Sequence, residues 1–398
     1  MYKKKSIIVK SKYLENYKRG YLLISKESIV DFSKVEQGNI VNLVDNRGRF
    51  IAKGYIGMQN KGSGWVLSYD KNQEINGNFF KEKIEEAIKY REDFYNNQNT
   101  TAFRVFNAEG DGVGGLSIDY FDGFYLITWY SEGIYKFKDD ILDALKSVVT
   151  YKGIYQKRRF NLKGQYLEKD DDFVSGKRAD EPVIIKENGV KFAVYLDDGA
   201  MVGVFLDQRD VREAIYKRYS KGKTMLNTFS YTGAFSVFAS LGGAVKTTSV
   251  DLANRSRKKT QEQFRINNIA IENQDIIVED VFNYFKYAVR KKIKFDLVVI
   301  DPPSFARSKK QTFSVAKDYV KLLKEAIEIT NDDGVIVAST NYANLNLQTF
   351  ENFIKKAFSQ MDLRYKIEER FSLPKDFRVN SGFKEGNYLK VIFIRKIS

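Results

Sequence analysis

Residues 224–240 read TMLNTFSYTGAFSVFAS, and this stretch decides the fold class. A short apolar strand at Met225 and Leu226 runs into a polar turn that ends on Gly233, and a helix follows. Glycine lets a backbone approach a ligand closely, and the N-terminus of a helix offers unpaired N–H groups. From about residue 191 onward, strands, turns and helices alternate in this way, which predicts a parallel α/β sheet.

Two acidic residues follow the next strands of the pattern. In the segment SVDLANRS, Asp251 ends the second strand. In doubly wound folds an acid at this position binds the ribose hydroxyls of an adenosine ligand. The alternative for Asp251 is a helix N-cap, and the two roles are compatible. Asp280 follows the third strand, where its carboxylate is placed to accept a hydrogen bond from an adenine amino group.

The fourth strand, residues 295–300, ends on Asp301-Pro302-Pro303. Only four prolines occur in the sequence, and two of them are adjacent here. The pair fixes a rigid loop that cannot continue the sheet, at the carboxyl edge where open α/β sheets bind ligands. We therefore expect these three residues in the active site, in preference to a purely structural strand end.

Cysteine and histidine are both absent from the 398 residues. Disulfides are therefore impossible, and a zinc site, which depends on Cys or His ligands, is not expected. Thiolate nucleophiles, Ser–His–Asp triads and histidine bases are excluded as well. The chemistry must rely on carboxylates, lysines, tyrosines, amides or a cofactor, and we expect no metal.

The formal net charge is +15, and basic residues are concentrated in residues 1–20, 286–294 and 305–317. A basic surface favours polyanions, and the 25 Tyr and 30 Phe residues offer stacking on unpaired bases. We expect a nucleic-acid partner and no membrane, because no apolar stretch approaches the roughly 20 residues that cross a bilayer. The start of the chain lacks the features of a signal peptide, so we expect the cytoplasm.

The rhythm of strands and helices divides the chain into three predicted domains. Residues 1–70 contain four short strands separated by turn signals, which predicts a small basic β-barrel. Residues 71–190 contain a connecting helix near 76–96 and a small α+β domain. Residues 191–398 form the α/β domain.

The ordered set NTFSYTGAF, SVDLANRS, VED and DPPSF resembles class I S-adenosylmethionine-dependent methyltransferases. More narrowly, nearly the whole chain resembles the ribosomal RNA large-subunit methyltransferases with an N-terminal PUA domain. NLVDNRGRFIAKGYIG looks like the PUA barrel, FNAEGDGVGGLSIDYFDG like the signature of the central domain, and VGVFLDQRDVR like the entry into the catalytic domain. The resemblance implies a C-terminal Rossmann-like methyltransferase domain, S-adenosylmethionine as cofactor and S-adenosylhomocysteine as product.

The resemblance also implies a set of cofactor-binding residues. Gln208 and Arg209 belong to it because they lie near the cofactor in that family, although an exposed helix start is an alternative for them. The full set is Asn227, Phe229, Ser230, Tyr231, Gly233, Asp251, Leu252, Asp280, Asp301, Gln208 and Arg209.

The best-known relatives methylate carbon 5 of cytosine, which requires a cysteine thiolate that adds to the pyrimidine ring. The matching segment here is VIVASTNYANL, with Thr340 and Asn341 where the thiol would fall, so cytosine C5 is excluded. The DPPSF loop and the late Ser-Thr-Asn segment are similar to the guanine-N7 ribosomal methyltransferases. Guanine N7 has a free lone pair and requires neither a thiol nor a base, so alignment of donor and acceptor is the chief task of the enzyme.

In this reading Phe305 stacks on the flipped base, while Asp301, the Pro302 carbonyl or Asn341 hydrogen-bonds to its edge. Core packing is an equal alternative for Phe305. The residues expected to bind RNA phosphates are Lys18, Arg19, Arg307, Lys309 and Lys310.

The expected partner is 23S ribosomal RNA or a precursor of the large subunit, and a homodimer stays open. Methylation of an exocyclic amine (guanine N2 or adenine N6) is an alternative, as is a non-catalytic RNA-binding assembly factor. An NAD-dependent oxidoreductase is disfavoured, because no G-x-G-x-x-G follows the first strand of the α/β domain.

Overall fold

A computed structural model describes residues 4–59, 62–160, 172–199, 201–307 and 312–397. For residues 4, 305–307 and 312 it describes the backbone alone. The chain divides into two compact units. The first comprises Met1–Ile185, Val194–Val202 and Lys375–Gly386, and the second comprises Lys186–Ala193, Gly203–Pro374 and Asn387–Ser398.

The first unit begins with a mixed sheet in the order β1-β3-β4-β5-β2. Strand β1 runs parallel to β3, and the other neighbours are antiparallel. Trp65 and Tyr55 are buried in its core, and the four predicted strands are confirmed. The elements are β1 (Lys4–Ile8), α1 (Leu14–Lys18), β2 (Leu23–Ile24), β3 (Ile40–Val44), β4 (Phe50–Gln59) and β5 (Gly62–Ser68).

A second sheet of the first unit has the order β10-β9-β8-β7-β6. The α+β character predicted for this part is confirmed, and the helix predicted near 76–96 consists of two helices that meet at Arg91. The elements are α2 (Gly77–Tyr90), α3 (Glu92–Tyr95), β6 (Ala102–Asn107), β7 (Leu116–Phe121), β8 (Phe124–Trp129), α4 (Glu132–Tyr135), α5 (Lys138–Val148), β9 (Gly153–Arg158) and β10 (Phe173–Gly176). The hairpin of β11 (Val183–Glu187) and β12 (Val190–Val194) follows, and its residues Lys186–Ala193 belong to the second unit.

A buried ion pair explains how the segment 375–386 belongs to the first unit. The Arg91 guanidinium donates to both carboxylate oxygens of Asp111, at 3.0 and 2.7 Å, and its Nε donates to the Asp376 carbonyl at 2.8 Å. Gly110 lies so close to this segment that a Cβ there would be 1.8 Å from the Arg378 carbonyl oxygen. Residues far apart in the sequence therefore share one core.

The second unit contains a sheet in the order β15-β14-β13-β16-β19-β21-β20. The first five strands are parallel, and β21 is antiparallel to both β19 and β20. The elements are α6 (Arg209–Ala214), β13 (Thr224–Thr228), α7 (Ala234–Leu241), β14 (Lys246–Asp251), α8 (Asn254–Ile266), β15 (Gln274–Val278), α9 (Val281–Arg290), β16 (Phe295–Ile300), β17 (Phe305–Arg307), β18 (Thr312–Ser314), α10 (Val315–Glu328), β19 (Thr330–Thr340), α11 (Leu347–Gln360), β20 (Arg364–Phe371) and β21 (Lys390–Ile397).

The inner parallel strands β14, β13, β16 and β19 bury both of their faces, whereas the edge strand β15 is only partly buried. Leu226 and Val298 belong to one apolar core, whereas Met225 and Val299 belong to a separate one. This is the arrangement of a parallel sheet covered by helices on both sides, and it explains the apolar runs at residues 297–300 of β16 and 335–338 of β19. The predicted α/β class is confirmed, whereas the predicted domain boundaries at residues 70 and 190 stay predictions.

We expect Asp111→Ala to lower the free energy of unfolding of the first unit by about 3–5 kcal/mol, because it leaves the buried Arg91 without its carboxylate partner. Both tryptophans of the sequence, Trp65 and Trp129, belong to this unit, so urea unfolding followed by tryptophan fluorescence reports on it. The control is Glu15→Ala, which removes an exposed ion pair with Lys18 and should leave the midpoint unchanged. Equal midpoints for the two variants would contradict the prediction.

Candidate active site

The carboxyl ends of the parallel strands meet at one edge of the sheet. Asp251 is the last residue of β14, and Asp280 follows β15 by two residues. Asp301 directly follows β16, and Asn341 directly follows β19. The topology thus brings together residues predicted from separate motifs, at the edge where open α/β sheets bind ligands.

The turn between β13 and α7 has an unusual backbone. Phe229 and Tyr231 have φ values of 53° and 51°, and Gly233 has a φ of 77°. A left-handed backbone is uncommon for non-glycine residues, and such strain is found preferentially at functional sites. A Cβ at Gly233 would lie 2.5 Å from Thr260 Cγ2, so the glycine is required both by its φ and by the close approach of α8.

The Asp251 carboxylate holds this turn in place. Its Oδ2 accepts a hydrogen bond from the Tyr231 N–H at 2.8 Å, and its Oδ1 accepts one from the Ala253 N–H at 2.9 Å. The N-cap residue of α8 is Ala253, so the alternative that Asp251 is an N-cap is wrong. Each carboxylate oxygen has a further acceptor site, which leaves Asp251 able to accept ligand hydroxyl groups.

Two buried side chains near the turn and the edge have acceptors without partners among the described residues. Asn227 donates to Ser236 Oγ at 3.0 Å, but its Oδ1 has no hydrogen-bond partner. Gln208 donates to Ser339 Oγ at 2.9 Å, and its Oε1 also has none. Because a buried unsatisfied acceptor is costly, both atoms indicate a ligand with hydrogen-bond donors.

Asp301 lies in a network of polar side chains. Burial, with a contribution from the nearby Asp207 carboxylate, raises the pKa of its carboxyl to about 6, although hydrogen bonds from Ser339 and Gln208 and the charge of Arg212 oppose the increase. Asp207 accepts a hydrogen bond from the Tyr388 hydroxyl at 2.9 Å. A carboxyl poised in this way changes its charge in the range where enzymes operate.

Arg212, the cation whose charge lowers the pKa of Asp301, is itself held in a buried ion pair. Arg212 forms a bidentate pair with Glu187, with both N···O distances at 2.7 Å, and both side chains are buried. Its Nη2 also donates to the Phe205 carbonyl at 2.7 Å. Because Glu187 neutralises Arg212, the guanidinium lowers the pKa of Asp301 less than an unpaired cation would.

The DPP loop and the end of β19 are joined by a side-chain hydrogen bond. Ser304 Oγ donates to Asn341 Oδ1 at 2.5 Å, which leaves the Asn341 amide group to donate elsewhere. Pro302 is buried and Pro303 is exposed. Phe305 begins β17 and is paired with Ser314, but its side chain lies outside what the structure describes, so neither stacking nor core packing is decided.

The remaining predicted cofactor residues differ in exposure. Asp280 is the N-cap of α9 and accepts the N–H groups of Phe282 and Asn283 at 3.0 and 3.2 Å. Leu252 is exposed beside Asp251. Gln208 and Arg209 are both 4% exposed, so the alternative of an exposed helix start is wrong.

The predicted phosphate-binding residues are described only in part. Lys18 forms an exposed ion pair with Glu15 at 2.9 Å, and Arg19 follows it at the end of α1. Only the backbone of Arg307 is described, and Lys309 and Lys310 lie outside the described residues.

Sequence reasoning missed three residues of the Asp301 network. Ser339 and Asp207 surround its carboxyl, and the buried Tyr319 donates its hydroxyl to the Ser339 carbonyl at 2.6 Å. Asp207 adjoins the predicted Gln208, and Ser339 precedes the predicted Thr340-Asn341 pair. For Asp207 and Ser339, this position next to predicted residues was the only signal in the sequence. Tyr319 had no such signal, because it lies in α10 and reaches the network only in the folded chain.

A comparison with known families decides the class of the protein. The sequence model described as S-adenosylmethionine-dependent methyltransferase matches residues 104–380. The chain belongs to this methyltransferase family. A PUA-like domain model matches residues 7–69, which confirms the predicted architecture of a PUA-like N-terminal domain and a Rossmann-like methyltransferase domain. S-adenosylmethionine is therefore the cofactor.

Similar proteins have related names. Bacillus subtilis YwbD, provisionally named a ribosomal RNA large subunit methyltransferase, is 55% identical over 395 residues, which are 98% of this chain and 100% of that protein. Ribosomal RNA large subunit methyltransferase I of Aeromonas salmonicida is 30% identical over 359 residues, or 90% of each chain. These relatives extend over almost the same length as this methyltransferase.

Two solved structures have the same fold over nearly the whole chain. The crystal structure of SMU.776, provisionally named a methyltransferase and complexed with SAH, has a TM-score of 0.91 at 39% identity and covers 99% of this chain and 100% of its own. A provisionally named S-adenosylmethionine-dependent methyltransferase from Streptococcus mutans has a TM-score of 0.90 at 38% identity and covers 98% and 99%. Among the described helices of this methyltransferase, none is both long and apolar enough to cross a membrane.

We expect Asp301→Asn to remove a pH dependence of stability. Because the pKa of Asp301 is raised to about 6 from an ordinary value near 3.8, the protonated form contributes stability below about pH 4, and this contribution is lost as the pH rises through 6. The asparagine variant should therefore gain up to about 3 kcal/mol relative to wild type between pH 4 and 7.5. Urea unfolding followed by hydrogen exchange of peptides from β16 and β19 measures this difference.

The companion variant is Ser339→Ala, which removes a hydrogen-bond donor that lowers the pKa of Asp301. The inflection of its stability profile should move above that of wild type. A wild-type profile with no inflection between pH 5 and 7, and no difference from Asp301→Asn, would contradict the raised pKa.

Proposed function

We propose that the protein transfers a methyl group to a base of 23S ribosomal RNA, and that the acceptor is guanine N7. The observation that carries the choice of acceptor is the composition of the site at the end of β19. Thr340 is buried there, Asn341 accepts a hydrogen bond from Ser304 of the DPP loop, and the sequence contains no cysteine. A hydroxyl or an amide cannot add to a pyrimidine ring at neutral pH as a thiolate does, so cytosine C5 is not the acceptor.

The residues of the edge fit the cofactor. When bound, S-adenosylmethionine supplies a methyl group activated by a sulfonium centre. We assign Asp251 to the ribose hydroxyls, Asp280 and Leu252 to the adenine, and the turn from Asn227 to Gly233 to the remainder of the nucleoside. The unpartnered Gln208 Oε1 suits an ammonium donor, and the buried Arg209 beside it suits a carboxylate.

Guanine N7 matches what these residues are able to do. Its lone pair is free at neutral pH, so the transfer needs no thiol and no histidine base, and the sequence provides neither. The contribution of the protein is then to hold donor and acceptor in line, which alone is worth several kcal/mol of the barrier. The rigid Asp301-Pro302-Pro303 loop at the sheet edge is suited to that task.

We assign recognition of the flipped base to the same loop and to Asn341. Above pH 6 Asp301 is a carboxylate, and carboxylates accept hydrogen bonds from the N1–H and N2 amino groups of guanine. The Pro302 carbonyl adds an acceptor, and the free amide group of Asn341 adds a donor. Phe305 is assigned to stacking on the base.

Methylation of an exocyclic amine is the second candidate, and the raised pKa of Asp301 favours it. An amine must lose a proton when it is methylated, and a carboxyl with a pKa of about 6 accepts a proton more readily than an ordinary aspartate does. The product of the reaction distinguishes guanine N2 and adenine N6 from guanine N7.

The partner and the location follow from this substrate. The names of the relatives support ribosomal RNA, either free or in a precursor of the large subunit. Lys18, Arg19, Arg307, Lys309 and Lys310 remain the proposed phosphate contacts, and an enzyme with this substrate works in the cytoplasm. A homodimer is compatible with these roles but is not required by them.

We expect deletion of the gene to remove one 7-methylguanosine from 23S RNA. The nucleosides of 23S and 16S RNA from deletion and parent strains are compared by mass spectrometry. Wild-type protein should restore the nucleoside, and Asp301→Ala should not, because it removes the carboxyl at the reaction edge. Loss of a different methylated base would move the acceptor, and no change in any nucleoside would favour a non-catalytic assembly factor.

We expect Asp251→Ala to weaken the binding of S-adenosylhomocysteine by roughly 10–150-fold, since hydrogen bonds to a charged group contribute about 1.5–3 kcal/mol. Isothermal titration calorimetry measures the affinity. The control is Asp275→Ala, which removes an exposed carboxylate paired with Lys246 on the same two strands, β14 and β15. Equal affinities for both variants would contradict the assignment of Asp251.

A further inference from the structure

Helix α8 carries an unusual set of charges. Its inward face consists of the buried residues Ser256, Thr260, Gln263 and Phe264. Its outward face begins with the exposed cations Arg255, Arg257 and Lys258, and Arg265 is exposed in its last turn. None of these four cations lies in the basic segments 1–20, 286–294 and 305–317 noted in the sequence.

Two of these cations, Arg255 and Arg257, lie in the first turn of α8 and oppose the electrostatics of the helix. The N-terminus of a helix carries a partial positive charge, which favours acidic side chains and disfavours basic ones. The first turns of α3 and α5 follow this rule with Glu92, Asp93, Asp139 and Asp140, whereas the first turn of α8 contains two cations and no acidic residue. The first turns of α2, α7, α9 and α11 also have no acidic residue, but they have no cation either. Arg255 and Lys258 are also like charges three residues apart, which is unfavourable in an isolated helix.

These cations are not neutralised by neighbours either. In the part of the chain that the structure describes, Arg255, Arg257 and Lys258 form no ion pair. Lysines on other helices do, at a spacing of three or four residues, as with Lys18–Glu15, Lys83–Glu86 and Lys136–Glu132. A surface that carries positive charge although this charge disfavours the helix is suited to binding an external anion.

The position of α8 connects this surface with the reaction edge. The helix begins three residues after Asp251, and Thr260 packs against Gly233 of the turn between β13 and α7. Since a helix rises about 1.5 Å per residue, Arg255 to Lys258 span roughly 5 Å at the end of the helix next to the cofactor turn. The cations therefore lie on the outer side of the same edge that holds Asp251 and Asp301.

We propose that the outward face of the first two turns of α8, formed by Arg255, Arg257 and Lys258, binds the sugar-phosphate backbone of the substrate RNA beside the target base. This inference rests on the proposed function. Arginine and lysine contacts to phosphates position a nucleic acid without reading its sequence. The α8 surface fixes the approach of the RNA, while the DPP loop and Asn341 select the base.

The basic segment 286–294 is the matched contrast. It ends α9 and leads into β16, whose first residue is Phe295. The amino ends of parallel strands lie at the edge opposite to their carboxyl ends, so Lys291, Lys292 and Lys294 face away from the reaction edge. All three are exposed. Although this segment is the more conspicuous one in the sequence, the topology removes it from the target base.

The test compares two triple variants of the full chain that lose equal charge. One is Arg255→Gln, Arg257→Gln, Lys258→Gln, and the control is Lys291→Gln, Lys292→Gln, Lys294→Gln. Methyl transfer from labelled S-adenosylmethionine to deproteinised 23S RNA of the deletion strain gives KM and kcat. Binding of a labelled single-stranded RNA oligomer is measured from low to high salt, and calorimetry with S-adenosylhomocysteine checks the cofactor site.

The α8 variant should raise KM for RNA at least about tenfold at 0.15 M salt and leave kcat and cofactor affinity near wild type. Its plot of log affinity against log salt should be less steep than that of wild type by about two units, since each of the three phosphate contacts with a single strand contributes roughly 0.7. The control should match wild type in both measurements.

The remaining outcomes separate the two proposals. If wild-type protein transfers no methyl group to this RNA, the proposed function fails. If wild type is active but the α8 variant equals wild type, or the control is impaired equally, the α8 proposal alone is overturned. If the α8 triple variant also loses cofactor affinity, the single variant Lys258→Gln tests the proposal instead. Its RNA affinity should fall about threefold, and the slope of log affinity against log salt should decrease by roughly 0.7.

Discussion

The carboxylate of Asp251 holds together the glycine turn and the start of α8 at the carboxyl edge of the parallel sheet. It ends β14 and accepts hydrogen bonds from two backbone N–H groups, that of Tyr231 in the glycine turn and that of Ala253 before α8. Because Tyr231 has a left-handed backbone, the hydrogen bond stabilises a turn that the residue would otherwise avoid. The other oxygen of the same carboxylate accepts the Ala253 N–H before α8, so one side chain joins the turn to the start of the helix.

Asp301 shows how burial and neutralised partners set the state of a functional group. Taken alone, burial would favour its neutral form, and Asp207 adds to that effect, but Ser339 and Gln208 donate hydrogen bonds that favour the carboxylate. Arg212, whose charge also favours the carboxylate, is already paired with Glu187. The balance leaves a carboxyl that is ionised near neutral pH yet accepts a proton more readily than an exposed aspartate.

Charge on this protein is informative only when it is combined with topology. A net charge of +15 indicates a polyanionic partner but does not locate it. The parallel sheet assigns each basic segment to one of two edges, because helices that follow parallel strands begin at the carboxyl edge and end at the amino edge. Arg255 and Lys258 begin such a helix, whereas Lys291 and Lys294 follow the end of another.

The sequence alone predicted the α/β class, the strand ends and the residues that follow them, because the apolar periodicity, the glycine turn and the adjacent prolines are local signals. It also excluded thiol and histidine chemistry through composition alone. Three features emerged only from the folded chain: segment 375–386 belongs to the first unit, Ser339 and Asp207 surround Asp301, and the cations of α8 lie at the carboxyl edge of the sheet. These features depend on contacts between residues far apart in the chain, which no local pattern encodes.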